Sequence, residues 1–203
     1  DTPMHLVKEM GSWRDRRMID YYLNFCRVLF TRYKGLVKYW LTFNEINMIF
    51  HAPFMGAGLY VGDLDEREKK QVLYQSAHNE LVASAKATKM AHKIDRNNQI
   101  GCMVAAGKYY PYSCDPKDVY AAITSDREDY FFSDIQAGGK YPKYVLDMFE
   151  RENLHIDMHE DDLKLLANNT VDFVSFSYYM SRVATANKKV AQMTTGNIFD
   201  SVK

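Results

Sequence analysis

Leu36-Val37-Lys38-Tyr39-Trp40-Leu41-Thr42-Phe43 runs directly into Asn44-Glu45-Ile46-Asn47. The first stretch is short, β-branched and aromatic. It reads as a strand buried on both faces whose C-terminal end turns polar. Two other stretches share that character. Ile100-Gly101-Cys102-Met103-Val104-Ala105 is one, and Val171-Asp172-Phe173-Val174-Ser175-Phe176-Ser177 is the other, ending polar and aromatic at Ser177-Tyr178-Tyr179.

Helical patterns fill the intervals. Ser12 with Asp15 three residues on resembles a capping box, and Met18, Tyr22, Cys26, Leu29 and Tyr33 recur at helical spacing until Gly35, so a helix is expected over about 14–33. Pro53, Gly56, Gly58 and Gly62 make 51–65 a long loop. Asp65 and Glu68 place negative charge where a helix start favours it. Leu73, Ala77, Leu81, Ala85, Thr88, Ala91 and Ile94 then trace one face of a long helix to about residue 95, broken by Asn97-Asn98. Further helices are expected near 117–132, 141–152 and 161–167. The polar stretch 182–203, with Thr194-Thr195-Gly196-Asn197, reads as loop.

Strands alternating with helices imply a parallel α/β sheet. No glycine-rich first turn marks a nucleotide-binding doubly wound sheet, since Gly56-Ala57-Gly58 lacks the third glycine and follows no strand directly. The strands begin at about residues 36, 100 and 171. That spacing suits a (β/α)8 barrel with long βα loops, but eight such units do not fit in 203 residues. The fold expected is a partial α/β barrel, with residues 1–203 the central part of one domain and strands missing at both ends.

Twenty-six basic and 26 acidic side chains give a formal net charge of zero, and 47% of residues are hydrophobic. A disordered chain is excluded, and a nucleic-acid partner bound by bulk charge is not expected. Cys26, Cys102 and Cys114 form no close pair, which disfavours a zinc knuckle and suits reduced thiols. No apolar run approaches the roughly 18 residues of a membrane span, and no signal peptide is read in a chain opening Asp1-Thr2-Pro3. No metal site is expected. His155 and His159 have helical spacing but enclose Ile156-Asp157-Met158 without the glutamate of a zincin. Asp161-Asp162 reads as a helix N-terminal cluster.

In α/β barrels the chemistry gathers at the C-terminal ends of the strands. The three ends offer Asn44-Glu45, Ala106-Gly107-Lys108 and Ser177-Tyr178-Tyr179, and only the first sets a carboxylate beside an amide. A carboxyl held partly out of water can deliver a proton near neutral pH. An amide can bind a substrate hydroxyl, and a tyrosine can orient a carboxylate. Equally, polar strand-end residues often only cap the next turn or helix. Asp172 stands at the opposite end of its strand and is expected to serve a turn or cap.

Tyr39-Trp40-Leu41-Thr42-Phe43-Asn44-Glu45-Ile46-Asn47 resembles the acid/base motif T-F/L-N-E-P of family 1 glycoside hydrolases. Asp1-Thr2-Pro3-Met4-His5-Leu6 resembles the segment after the family's third strand, H-x-D-x-P-x-x-L. Val171 to Tyr179 resembles its sixth strand, D-F-x-G-x-N-Y-Y. The chain would then run roughly from after the third strand to just past the sixth. Ile46 stands where most members have Pro, and Ser177 where most have Asn. Both departures are similar to the bacterial 6-phospho-β-glucosidase branch.

The resemblance implies a retaining hydrolase of β-linked 6-phosphoglucosides. Glu45 would be the general acid/base and Asn44 would bind the sugar 2-hydroxyl. Tyr179 would hydrogen-bond the nucleophilic carboxylate, and Ser177 would stand near substrate. It implies no cofactor or metal, a small phosphorylated glucoside as partner, no nucleic acid or membrane, and a cytoplasmic location. The family's nucleophile lies in a Glu-Asn-Gly motif, which this sequence lacks, and Glu152-Asn153-Leu154 falls in a helical region before the sixth strand. The isolated chain is therefore expected to be inactive. An unphosphorylated β-glucosidase, a 6-phospho-β-galactosidase and a non-catalytic barrel fragment are the alternatives.

Overall fold

The structure is a computed structural model that describes residues 2–191. Asp1, and the expected loop around Thr194-Thr195-Gly196-Asn197, lie outside the described residues. The chain begins with α1 (Met4–Met10), a 3-10 turn (Ser12–Arg14) and α2 (Met18–Arg32). Strand β1 (Tyr39–Leu41) leads to two short helices, α3 (Met48–His51) and α4 (Pro53–Ala57), and then to the long α5 (Glu66–Ile94). Next come β2 (Gln99–Ala106), β3 (Tyr109–Pro111), α6 (Pro116–Asp129), α7 (Phe131–Gly138), α8 (Lys143–Arg151) and α9 (Asp162–Asn168). Strand β4 (Phe173–Tyr178), β5 (Arg182–Ala184) and α10 (Lys188–Ala191) complete it.

β1, β2 and β4 form one parallel sheet in that order, with Leu41 opposite Gly101 and Gly101 opposite Phe173. Parallel neighbours joined by helical crossovers are the expected α/β arrangement. One face of β2 carries Ile100, Cys102, Val104 and Ala106, all buried against the helices. Their burial pushes the Cys102 thiol up to about 11, which makes it an inert core residue.

Several expectations needed correction. The first strand is shorter than 36–43 and is not buried on both faces: Tyr39 and Leu41 are exposed, because β1 is an edge strand of this sheet. The loop 51–65 contains α3 and α4, since Pro53 starts a helix that Gly58 ends in the left-handed conformation. Ser12 does not cap α2. It has φ 59° and donates its hydroxyl to Ala57 O at 2.6 Å, and α2 starts only at Met18. The buried face of α2 is Met18, Ile19, Leu23, Cys26 and Phe30, with Tyr33 outside it. Helix α7 was not anticipated, and the stretch expected as loop from 182 holds β5, paired in parallel with β3, and α10 before the described residues end.

The α5 start behaved as its sequence suggests. Asp65 accepts from Glu68 N at 2.8 Å while Glu68 reaches back to Asp65 N, a full capping box. Deeper in α5, His78 is fully buried. Its Nδ1 lies 2.8 Å from Tyr141 Oη and its Nε2 3.1 Å from Asp162 Oδ2. A carboxylate only accepts, so Nε2–H donates to Asp162 and Tyr141 donates to the bare Nδ1, which describes a neutral imidazole. Burial lowers the His78 pKa, outweighing the pull of Asp162. Burial would raise Asp162, but hydrogen bonds from Arg16, His78 and the His159 amide outweigh it and hold the carboxyl below its usual range. Asp162 thus joins α5, α9 and the segment before α2, a larger role than a helix-start charge.

Two expectations follow. A histidine depressed in the fold contributes stability that is complete above about pH 6.5 and is lost as pH falls through its lower native value. Unfolding free energy, measured by denaturant titration, should therefore decline between about pH 7 and pH 5, and His78→Gln should flatten that slope. At Gly101, an added Cβ would sit 2.3 Å from Phe173 Cε2, in a ring also met edge-on by Tyr39. Gly101→Ala should cost about 1–3 kcal/mol, and Phe173→Leu in the same chain should recover part of it.

Candidate active site

Glu45 lies just past the C-terminal end of β1, half-buried, with φ 47°. A non-glycine residue in the left-handed region is uncommon and marks a backbone held there by its surroundings. Those surroundings are explicit. On the N-terminal side, Thr42 N–H donates to Gly101 O at 3.3 Å, Thr42 Oγ1 lies 2.9 Å from Ser84 Oγ, and the Tyr22 hydroxyl donates to Thr42 O. On the C-terminal side, Ile46 N–H donates to Met103 O at 3.1 Å and Met48 N–H to Glu45 O at 2.8 Å.

Asn47 is fully buried. Its Nδ2 donates to Ala105 O at 2.9 Å and its Oδ1 accepts from Ala105 N at 2.8 Å. Behind the loop, Phe43 stacks on Tyr22 at 4.8 Å and meets Trp13 edge-on at 5.4 Å. Burial raises the Tyr22 pKa well above the ordinary value, so its hydroxyl stays a donor. This aromatic brace and the Asn47 clamp were not recognised from sequence. Asn47 lay within the quoted stretch, but nothing in its identity says that its side chain would pair with a neighbouring strand.

The structure brings three of the four sequence-derived residues to one place. The Tyr179 hydroxyl donates to Glu45 Oε1, and Ser177 faces the same phenol. Asn44 is exposed beside Glu45. Tyr179 is itself 65% exposed, so this contact sits in an open site. The bond to Glu45 raises the Tyr179 pKa, with Ser177 opposing it. Asp172 is not a turn or helix cap. It accepts from Ile100 N at 2.7 Å and from His92 Nε2 at 2.8 Å, tying the start of β4 to β2 and α5. Glu152 is bound by Lys70 at 2.5 Å, at the end of α8.

Among the described residues, no group of three or more His, Cys, Asp or Glu side chains is arranged to hold a metal ion. No helix there is long and apolar enough to cross a membrane. A separate cleft of about 460 Å³ lies between α5, α6 and α8, and neither Glu45 nor Tyr179 lines it.

The sequence profile of Glycosyl hydrolase family 1 matches residues 1–202. The chain belongs to glycosyl hydrolase family 1. Its relatives include the 6-phospho-beta-glucosidase AscB of Escherichia coli (strain K12), 49% identical over all of this chain and 42% of that protein. The aryl-phospho-beta-D-glucosidase BglH of Bacillus subtilis (strain 168) is 44% identical over all of this chain and 43% of its own length. The chain thus spans about two fifths of the curated relatives it matches. Among solved structures, the family 1 β-glucosidase of Thermotoga maritima superposes with a TM-score of 0.73 at 28% identity, over 90% of this chain and 40% of that one. The parallel β1-β2-β4 sheet is accordingly part of the family 1 α/β barrel, and the barrel expectation holds.

The Tyr179 contact has a direct spectroscopic consequence. The hydrogen bond to the Glu45 carboxyl is the main cause that raises the phenol's pKa, and replacing that carboxyl by an amide weakens it. In NMR titrations of ring-labelled tyrosines, Glu45→Gln should move the Tyr179 transition to lower pH.

Proposed function

We propose that the protein containing these residues is a retaining glycosidase acting on 6-phospho-β-glucosides, and that residues 1–203 form the central part of its single barrel domain. The observation that carries this reading is Asn44-Glu45 at the C-terminal end of a parallel strand, with Glu45 in a constrained backbone conformation and its carboxyl facing open space beside Tyr179. Barrel enzymes place their chemistry at that end. The names of the AscB and BglH relatives favour a phosphorylated sugar.

In this reading Glu45 protonates the glycosidic oxygen as the bond to the sugar breaks, then takes a proton from the incoming water. A second carboxylate about 5–5.5 Å away forms the glycosyl-enzyme intermediate. Asn44 hydrogen-bonds the sugar 2-hydroxyl, a contact that strengthens as positive charge develops at the ring. Tyr179 is free to exchange partners: its hydroxyl rests on Glu45 here and would turn to the nucleophile when that carboxylate is adjacent. Ser177 is the polar neighbour of that phenol on the substrate side. The chemistry needs no metal or cofactor, because two carboxylates suffice, and a phosphorylated substrate fits a cytoplasmic enzyme. A β-glucosidase of unphosphorylated sugars is the second reading, favoured by the likeness to the Thermotoga maritima enzyme.

Turnover of matched aryl β-glucosides and aryl 6-phospho-β-glucosides by the full-length protein separates the two. Glu45→Gln should reduce kcat/KM by roughly 10²–10⁴-fold on substrates with poor leaving groups, and far less on activated ones, which need little proton donation. Unchanged turnover of poor leaving groups would remove Glu45 from the mechanism, and a preference for the neutral sugar would remove the phosphate.

A further inference from the structure

We propose that Asn47 is a positioning residue for the acid/base carboxyl: its buried amide closes the β1–β2 ladder beyond a bulge and so fixes Glu45 in its left-handed conformation. The inference rests on the acid/base reading of Glu45 and adds the device that makes that reading geometrically possible.

β2 presents alternate peptide groups to β1. Gln99 N–H donates to Lys38 O at 2.8 Å, Gly101 O accepts from Thr42 N, and Met103 O accepts from Ile46 N. Between the last two contacts β2 advances from Gly101 to Met103, while the facing chain advances from Thr42 to Ile46. Three residues, Phe43-Asn44-Glu45, therefore span an interval that one residue fills on β2, and the surplus of two makes them bulge out as a turn. Glu45 absorbs the excess by taking φ 47°. A side chain at positive φ is disfavoured, so the turn keeps this shape only if both of its ends are held.

The entry to the turn is held three ways through Thr42, by Gly101, Tyr22 and Ser84. Its exit depends on Ile46 and Asn47. The next peptide group offered by β2 is that of Ala105, and no backbone group of the facing chain meets it, because α3 has begun. The Asn47 side chain takes that place and satisfies both Ala105 N–H and Ala105 C=O. An amide side chain has one donor and one acceptor in a plane, so it can imitate the next strand residue. Two parallel hydrogen bonds fix orientation as well as distance.

The alternative job for an asparagine here is to cap α3. Asn47 occupies the N-cap position of α3 but makes no side-chain cap hydrogen bond. It leaves a common role of its residue type unfilled and commits both polar groups to β2. Packing reinforces the choice. A Cβ at Gly56 would lie 2.7 Å from Met48 C, so α4 presses directly on the backbone following Asn47.

The test uses the full-length protein and aryl 6-phospho-β-glucosides graded from phenol to dinitrophenol leaving groups. Asn47→Ala lets the turn relax, and a displacement of about 1 Å of a reacting group costs on the order of 100-fold. The expected result is a loss of that order in kcat/KM with phenol as leaving group, less than about 5-fold with dinitrophenol, and an altered alkaline limb of the pH profile, where the proton donor is lost. Asn47→Ser, which keeps one of the two hydrogen bonds, should fall between and serves if the alanine variant does not fold. Val145→Ala, a buried α8 substitution far from the turn, sets the baseline for mere destabilisation and should lower the melting temperature without splitting the leaving groups. Equal losses on both substrates, or none on either, while Glu45→Gln keeps its own split, would overturn the role of Asn47 alone. Absence of a split in Glu45→Gln would overturn the acid/base reading and this proposal with it.

Discussion

The hydrogen bonds along the open side of β2 are the constraint on which the site depends. A buried peptide group must find a partner, and β2 offers a fixed series of them at Gly101, Met103 and Ala105. The facing segment answers with Thr42, Ile46 and the Asn47 side chain. Three answers for six residues of chain leave a surplus, and that surplus becomes the turn carrying Asn44 and Glu45. The unusual backbone of Glu45 is thus the result of satisfying ordinary backbone groups on both sides of it. Ser84 connects this arrangement to the helix layer, since its hydroxyl meets Thr42 on one side and accepts from Gln136 Nε2 at 2.8 Å on the other.

Helix α5 is the support behind the sheet. Its middle turns are buried on nearly every side, and they carry His78, Asn79, Glu80 and Ser84 into the interior. Such groups are tolerated only when paired or neutral. His78 is paired, between Tyr141 and Asp162, and Asn79 donates to Trp13 O at 2.9 Å. Burial alone pushes the Glu80 carboxyl well above the usual carboxylate range, which favours its neutral form. These contacts fix α5 against the segment before α2, and Trp13 in that segment backs Tyr22 and Phe43. The support of the Phe43-Asn44-Glu45 turn therefore runs from α5 through the aromatic brace to Thr42.

Much of this was legible in the residues. The three parallel strands, the span of α5 and its negatively charged start follow from local pattern: β-branched runs of a few residues, a 3.6-residue apolar period, and the acidic pair Asp65 and Glu68. The motif around Glu45 marked the site because a carboxylate beside an amide at a strand end is a chemical statement in itself. Where local pattern misled, a distant partner had taken the residue. Ser12 looked like a helix cap, but Ala57 O captured its hydroxyl across 45 residues of chain. Asp172 looked like a turn residue, but Ile100 and His92 claimed its carboxylate.

By itself, the sequence determined the alternation of strands and helices, the family, and the identity of Glu45, Asn44, Tyr179 and Ser177 as the residues to watch. The alternation is local pattern and the rest is carried by short motifs that resemble the family's, and a chain holds both whether or not it is folded. Tertiary structure alone decided the left-handed backbone of Glu45, the contact of its carboxyl with Tyr179, and the use of Asn47 as a surrogate strand residue. Each of those is set by registry between segments 58 to 134 residues apart. Registry is a matter of which peptide groups remain to be satisfied once the strands are in place, and no local pattern records it.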